Sequence, residues 1–249
     1  MGAIWITGAS GAIGSALAHS LQATGRPLVL TGRDVDSLNA LASSLDVRTV
    51  VKAADLSEPD AAADVLADAV EELGQIDGFA HCVGSTLIRP LHLTTHGDLE
   101  RVVRHNFFSA AWALKAFIAL QLEQQSAASA VLVGSLVARA GFPNHEAIAS
   151  AKAAVAALSE SAAATYAERG IRVNCVHPGL TISKMSARLT STPEAVARNA
   201  KSNPMGRLGD GQDTASVIAF LLSDAARWIT GQQISVDGGH AVLHPLPKV

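Results

Sequence analysis

Tyrosine occurs once in this chain of 249 residues, cysteine twice, and aromatic residues make up only 4% of it. So few aromatics indicate no stacking cage for a ligand. The cysteines, Cys82 and Cys175, lie in apolar runs that read as strands, with no His or Cys at metal-ligand spacing beside them. That excludes a disulfide scaffold and a zinc module, and suits small buried hydrophobes in a reducing cytosol. No apolar run approaches the ~18 residues of a membrane span. No Lys or Arg precedes an apolar run at the N-terminus, so no signal peptide is expected. Ile6 breaks the myristoylation pattern that Met-Gly begins. Charged residues are 16% of the chain, its net charge is -3, and no basic stripe marks a nucleic-acid or membrane-surface partner. A cytoplasmic protein acting on a small molecule is expected.

What the chain does have is apolar residues, 49% of the total, in short runs that alternate with helical patterns. Strands are read at Ala3–Thr7, Pro27–Thr31, Val47–Val51, Ile76–His81, Ala130–Ser135, Ile171–Val176 and Gln233–Val236. Helices are read at Ile13–Thr24, Val35–Ser44, Glu58–Leu73, Leu99–Glu123, Glu146–Arg169 and Asp213–Ser223. This alternation predicts an α/β fold: a seven-stranded parallel sheet with helices on both faces, through right-handed crossovers. The length suits one such domain, and no Pro/Ser-rich linker divides residues 1–249. Residues 180–212 are the long segment without a strand. They carry Pro193, Pro204, Gly206 and Gly209 and read as a lid or substrate loop.

The first strand runs into Gly8-Ala9-Ser10-Gly11-Ala12-Ile13-Gly14 and then a helix. Glycines there permit a tight turn and close approach to a pyrophosphate, and the helix start offers free N–H groups. At these residues the chain resembles the short-chain dehydrogenase/reductase family, and the resemblance extends over nearly its whole length. Thr7, Gly8 and Gly14 match the family's Thr-Gly-x-x-x-Gly-x-Gly, while Ala12 replaces its middle glycine and Gly11 sits one place earlier. Asp55-Leu56 resembles the pair that contacts adenine. Gly84 closes His81-Cys82-Val83-Gly84, where the family usually has Asn-Asn-Ala-Gly. Asn106 matches the family's helix asparagine, Ser135 its catalytic serine, Lys152 its lysine, and Pro178-Gly179 the turn after the sixth strand. Val236-Asp237-Gly238-Gly239 resembles its last strand and turn. The resemblance implies a doubly wound Rossmann fold. It also implies cofactor contacts at Gly8, Ser10, Gly11, Ile13, Gly14, Asp55, Leu56, Gly84, Lys152, Pro178, Gly179, Thr181 and Ser183, and a homo-oligomer, dimer or tetramer.

The end of the second strand reads Thr31-Gly32-Arg33-Asp34. Gly32 occupies the position where an NAD enzyme usually places an acid on the ribose 2′-OH, and the Arg33 guanidinium suits a 2′-phosphate. NADP(H) is the expected cofactor. Asp34 keeps NAD(H) open, since a shift of one residue would put its carboxylate at the ribose.

The family's carbonyl chemistry uses Tyr-x-x-x-Lys, and here the segment reads Ile148-Ala149-Ser150-Ala151-Lys152. Ile148 shares a helix face with Lys152 but donates no proton. The single tyrosine, Tyr166, lies ~21 Å beyond Lys152 along the predicted helix. His145, seven residues before Lys152, sits at the spacing that the enoyl-reductase branch uses for its tyrosine, and histidine is a competent acid near neutral pH. The other reading of Pro143-Asn144-His145-Glu146 is a helix cap, with Asn144 at the N-cap and Glu146 near the positive dipole end. His81 is a further polar group near the expected nicotinamide.

Two functions remain open. One is an NADPH-dependent oxidoreductase that transfers hydride to a small carbonyl, imine or enone, with Ser135, Lys152 and Asn106 in the site and His145 or water as proton donor. The other is a non-catalytic NADP(H)-binding sensor or silent subunit, to which Ile148 points. Retention of Ser135 favours the enzyme.

Overall fold

Apolar runs that lack polar alternation become strands covered on both faces. The computed structural model describes residues 2–243 and has this architecture. Residues 1 and 244–249 of the expected domain lie outside the described residues. The strands are β1 (Ala3–Thr7), β2 (Leu28–Gly32), β3 (Thr49–Ala53), β4 (Ile76–His81), β5 (Ala128–Val133), β6 (Ile171–Pro178) and β7 (Gln233–Val236). All pairings are parallel, in the order β3-β2-β1-β4-β5-β6-β7. Successive residues of β1 serve opposite faces. Ala3 and Trp5 enter one core layer, Ile4 and Ile6 the other.

The principal helices are α1 (Ala12–Gln22), α2 (Val35–Ala42), α3 (Ala61–Leu73), α4 (His96–Val103), α5 (Ser109–Gln124), α6 (Glu146–Tyr166), α7 (Ala187–Thr190), α8 (Pro193–Ala200) and α9 (Gly211–Leu222). Helices α1, α2 and α9 bury Leu17, Leu38 and Ile218 on one face of the sheet. Helices α3, α5 and α6 bury Leu66, Phe117 and Val155 on the other, where Trp5 stacks on Phe79 at 4.7 Å. Strand order reverses between β1 and β4, so their carboxyl ends open a crevice, the usual ligand site of such sheets.

Element ends shift by up to three residues from the sequence expectation, with β3 at Thr49–Ala53 rather than Val47–Val51 and β5 at Ala128–Val133 rather than Ala130–Ser135, and three local results stand out. The helix expected from Glu58 starts at Ala61, because Pro59 disfavours helical backbone at Glu58. The helix read as continuous over 99–123 is widened into a π turn at Arg104–Phe108. There the Asn106 side-chain amide donates to the Val102 carbonyl at 2.9 Å, the acceptor a regular α turn would give to the Asn106 backbone. Residues 180–212 contain α7 and α8. Their ends are tied by the Thr181–Gly209 bridge, with Ile182 N–H donating to Gly209 O at 2.9 Å and Gly209 N–H to Leu180 O at 3.0 Å. No described helix is long and apolar enough to cross a membrane, and no described cluster has the composition of a metal site.

Candidate active site

The bend after β1 is shaped by backbone, not by side chains. Gly8 has φ +65°, and a Cβ there would meet the Cys82 and Val83 backbone at 2.8–2.9 Å. A Cβ at Gly14 would lie 2.5 Å from the Gly8 carbonyl oxygen. Gly11 is the N-cap of α1, and the helix start has neither a side-chain cap nor an acid in its first turn. By contrast Asp34, Thr95, Thr192 and Asp210 cap α2, α4, α8 and α9 with side-chain oxygens. The N–H groups and positive end of α1 are therefore left for an exogenous anion, which fits a pyrophosphate. Ala12, at the family's middle glycine position, is the first residue of α1. Its carbonyl lies against Gly211, where an added Cβ would come within 2.1 Å.

At the end of β2, Arg33 is exposed. The Asp34 carboxylate accepts from Ser37 N–H at 3.1 Å and Ser37 hydroxyl at 2.6 Å. These bonds hold its pKa below the usual carboxylate range. Burial acts to raise the Asp55 pKa, but the hydrogen bonds it accepts from the Ser57 N–H and hydroxyl at 3.0 and 2.8 Å, with the Arg33 charge, bring it below the usual carboxylate value. Leu56 packs its side chain into the core, so only its backbone is placed to meet a ligand.

The centre of the crevice gathers Gly84, Asn106 and Lys152. A Cβ at Gly84 would stand 3.0 Å from Asn106 Oδ1 and 3.2 Å from Lys152 Nζ. Asn106 is fully buried. Its Nδ2 donates to Ser85 Oγ and Val102 O, and its Oδ1 accepts from Ser85 N–H. Lys152 Nζ donates to Val133 O at 2.8 Å, its one acceptor among the described residues. Burial lowers its pKa to about 8. A buried ammonium with further donors to place fits the hydroxyls of a ribose.

Ser135 stands just past β5 and starts a 3-10 turn, Leu136–Ala138. Its Oγ accepts from Val137 N–H at 3.3 Å, which leaves the hydroxyl proton free to donate outward. Ile148 is 4% exposed and packs with Val102, Ala147 and Ala151, beside Leu87, Leu99 and Val137. The position of the family's acid is thus a plug of hydrocarbon. Tyr166 ends α6, far from Lys152.

The cap of α6 corrects the sequence reading. His145, not Asn144, is the N-cap. Its carbonyl accepts from Ala149 N–H at 2.8 Å, while Asn144 takes φ +64° outside the helix. Glu146 does occupy the first turn. The His145 ring donates from Nδ1 to Pro143 O at 2.7 Å, and has no recorded bond to Ser135, Asn106 or Lys152. His81 is also corrected. It is wholly buried, joined to Thr7 Oγ1 at 2.9 Å and Ser109 Oγ at 3.2 Å. Burial drives its pKa to about 3, so it is a neutral link between β1, β4 and α5.

Past β6, Gly179 lies so close to the last turn that a Cβ would meet Asp237 Cα at 2.8 Å. Pro178 is buried as the last residue of β6. Thr181 Oγ1 donates back to Gly179 O at 3.1 Å, and Ser183 shares hydrogen bonds with Ser186. Two features were missed from the sequence: Ser85 as partner of Asn106, and His177 beneath Ser135. Neither has a spacing signal, because each meets its partner only in the folded chain, Ser85 from the loop after β4 and His177 from β6.

The chain is similar to known proteins over most of its length. A family model described as Enoyl-(Acyl carrier protein) reductase matches residues 8–241. The 2,3-dihydroxy-2,3-dihydro-p-cumate dehydrogenase of Pseudomonas putida is 30% identical over 243 residues, covering 96% of this chain and 93% of that protein. The inactive 2-(S)-hydroxypropyl-CoM dehydrogenase 2 of Xanthobacter autotrophicus is 31% identical over 231 residues, covering 91% of this chain and 100% of that one. The crystal structure of levodione reductase superposes with a TM-score of 0.92 at 27% identity, covering 97% and 98% of the two chains. The chain belongs to the short-chain dehydrogenase/reductase family of oxidoreductases.

Proposed function

We propose that the protein is an NADP(H)-dependent oxidoreductase acting on a small carbonyl, imine or enone, with a proton donor other than tyrosine. The observation that carries this reading is the convergence of Asn106 Oδ1 and Lys152 Nζ on the space beside Gly84, next to an uncapped helix start. When bound, a nicotinamide supplies the hydride, and the protein supplies position and electrostatics. Gly8, Gly11 and Gly14 would admit the pyrophosphate, with Ser10 and Ile13 lining the turn. Arg33 would meet the 2′-phosphate, while Asp34 is committed to capping α2. Asp55 and the Leu56 backbone would face the adenine. Lys152 would hold the ribose, and Pro178, Gly179, Thr181 and Ser183 would border the nicotinamide end.

Ser135 donates its hydroxyl proton as a hydrogen bond to the substrate oxygen. His145 or water gives the proton that completes reduction. Activated carbonyls, imines and enones suit a site without a strong acid. Residues 180–212 act as lid and substrate loop. They carry Lys184, Arg188, Arg198 and Lys201 against Glu194 and Asp210, with Arg207 paired to Asp213, so substrates bearing a carboxylate or sulfonate head the panel to be tried.

The buried Ile148 and the relative described as inactive favour a second reading, a coenzyme-binding subunit without turnover. One experiment separates the two. The pure protein is titrated with NADPH and then offered the panel while nicotinamide absorbance is followed. Turnover that Ser135→Ala removes supports the enzyme. Tight binding with no turnover supports the silent subunit, and no binding of either coenzyme defeats both. Light scattering in solution tests the expected dimer or tetramer.

A further inference from the structure

We infer that His177, held by Gln233, is a positioning residue for Ser135, part of a closed circuit that registers the serine against Lys152. The inference rests on the proposed role of Ser135, but its structural core is testable without turnover.

The circuit begins on α6. The Gln233 side-chain Nε2 donates to Ala156 O at 2.9 Å and to Ser159 Oγ at 3.0 Å. Ser159 gives its own proton to Ala156 O at 2.7 Å. Flipping the amide would set its oxygen against the Ala156 carbonyl, so Gln233 Oε1 must face the other way. It meets His177 Nε2 at 2.5 Å. A carbonyl oxygen only accepts, so Nε2 carries the proton. His177 is fully buried, and burial lowers its pKa. The nearby cations Arg139 and Lys152 push the same way, against the acceptors Gln233 Oε1 and the Ser135 carbonyl oxygen, which favour a charged ring. A neutral ring protonated at Nε2 has a lone pair at Nδ1. That lone pair accepts the Ser135 backbone N–H at 3.2 Å, and the Ser135 carbonyl oxygen lies 3.0 Å from the same nitrogen, so the ring meets both polar groups of the Ser135 backbone and its tautomer decides which one it binds.

Two details support the arrangement. The ring reaches Ser135 by lying over Gly134, where a Cβ would fall 2.5 Å from Nδ1 and 2.6 Å from Cε1. Ala156 and Ser159 follow Lys152 by four and seven residues, so they share its face of α6. Lys152 grips the end of β5 at Val133 O, at 2.8 Å. The segment from Val133 to Ser135 is therefore held at both ends by one helix, directly through Lys152 and indirectly through Gln233 and His177. With Ile148 offering Ser135 no polar partner, its hydroxyl is aimed by this backbone hold together with the Val137 N–H that its Oγ accepts.

The test is made on the full chain without coenzyme. Nitrogen NMR of ¹⁵N-histidine-labelled protein is expected to show His177 as the Nε2–H tautomer. Amide hydrogen exchange at Ser135 is expected to quicken by about tenfold or more in His177→Leu and Gln233→Leu. His177→Asn, which keeps an acceptor near the Nδ1 position, is expected to restore part of the protection. Exchange at Ile4 and Val29 should stay unchanged, which separates a local effect from global loosening. An Nδ1–H tautomer in the unaltered protein, or unchanged Ser135 exchange in a folded His177→Leu, overturns the inference. If His177→Leu does not fold, Gln233→Leu decides alone by the same criterion. Should the substrate panel give turnover, kcat is expected to fall in Gln233→Leu with coenzyme KM unchanged. No turnover in any form counts against the proposed function and leaves the exchange result to decide the circuit.

Discussion

The bend from β1 into α1 and the segment from β5 into α6 lie at the same edge of the sheet, but they are made of different things. The first is a backbone device. Gly8 and Gly14 leave no room for Cβ atoms, Gly11 leaves one only tight space, and α1 begins without a cap. The second is a side-chain device built from Ser135, Ile148 and Lys152. Replacing one of its members alters the chemistry and leaves the fold intact, as Ile148 buried on an otherwise regular α6 illustrates. A backbone site resists such replacement, because a side chain at Gly8 or Gly14 displaces neighbouring main chain.

The sharpest test of that contrast is Ile148→Tyr. If only the acid is missing, reduction of a simple ketone should rise by about 10²–10⁴-fold, the usual worth of a positioned general acid. The larger ring must enter the pocket formed by Val102, Leu99 and Leu87, at a cost of about 1–3 kcal/mol in stability. A folded variant with unchanged kcat would place the deficiency elsewhere in the site. Gly14→Val probes the other side. Its branched side chain would be driven into the Gly8 carbonyl, and NADPH affinity by calorimetry should fall about tenfold to a hundredfold. Unchanged affinity would remove the bend from the coenzyme site.

The same contrast explains what the sequence made legible. The five inner strands could be read because parallel strands buried on both faces are nearly continuous apolar runs, as in Ala3–Thr7 and Ala128–Val133, whereas the edge strands β3 and β7 are only partly buried. The glycine bend could be read because backbone requirements restrict residue type. Helices α7 and α8 were missed because they are short and largely exposed, although Thr192-Pro193-Glu194 carries a start signal, and Thr192 does cap Ala195 N–H at 3.2 Å. The π turn was hidden because it depends on where one amide, that of Asn106, spends its donor. His177 and Gln233 were invisible for another reason. They are 56 residues apart and meet only when β6 and β7 pair.

Within the coenzyme half, Arg33→Gln should weaken NADPH by about tenfold and leave NADH unchanged, since a charge-assisted bond to a phosphate contributes about 1.5–3 kcal/mol and NADH has none to lose. Paired titrations of the two coenzymes decide it. Equal weakening of both would mean that Arg33 meets a group they share. Asp34→Asn should leave NADH affinity unmoved, because that carboxylate is occupied by Ser37.

The smallest effect joins the two halves, because Lys152 serves both. Its folded pKa is about 8, below its ordinary 10.5, through burial. Below about 8 the folded and unfolded states are both protonated there, and stability does not depend on pH through this group. Between about 8 and 10.5 the unfolded chain holds a proton that the native protein has released, so stability rises with pH. Coenzyme affinity should run the opposite way, because the ammonium that would hold the ribose is lost over the same window. Tm and NADPH affinity measured from pH 7 to about 9.5 should therefore diverge, and Lys152→Gln should flatten both trends. If affinity held constant across that range while Tm rose, the ammonium would not be among the groups that grip the coenzyme. Gly84 and Asn106 would then be left to define that end of the crevice.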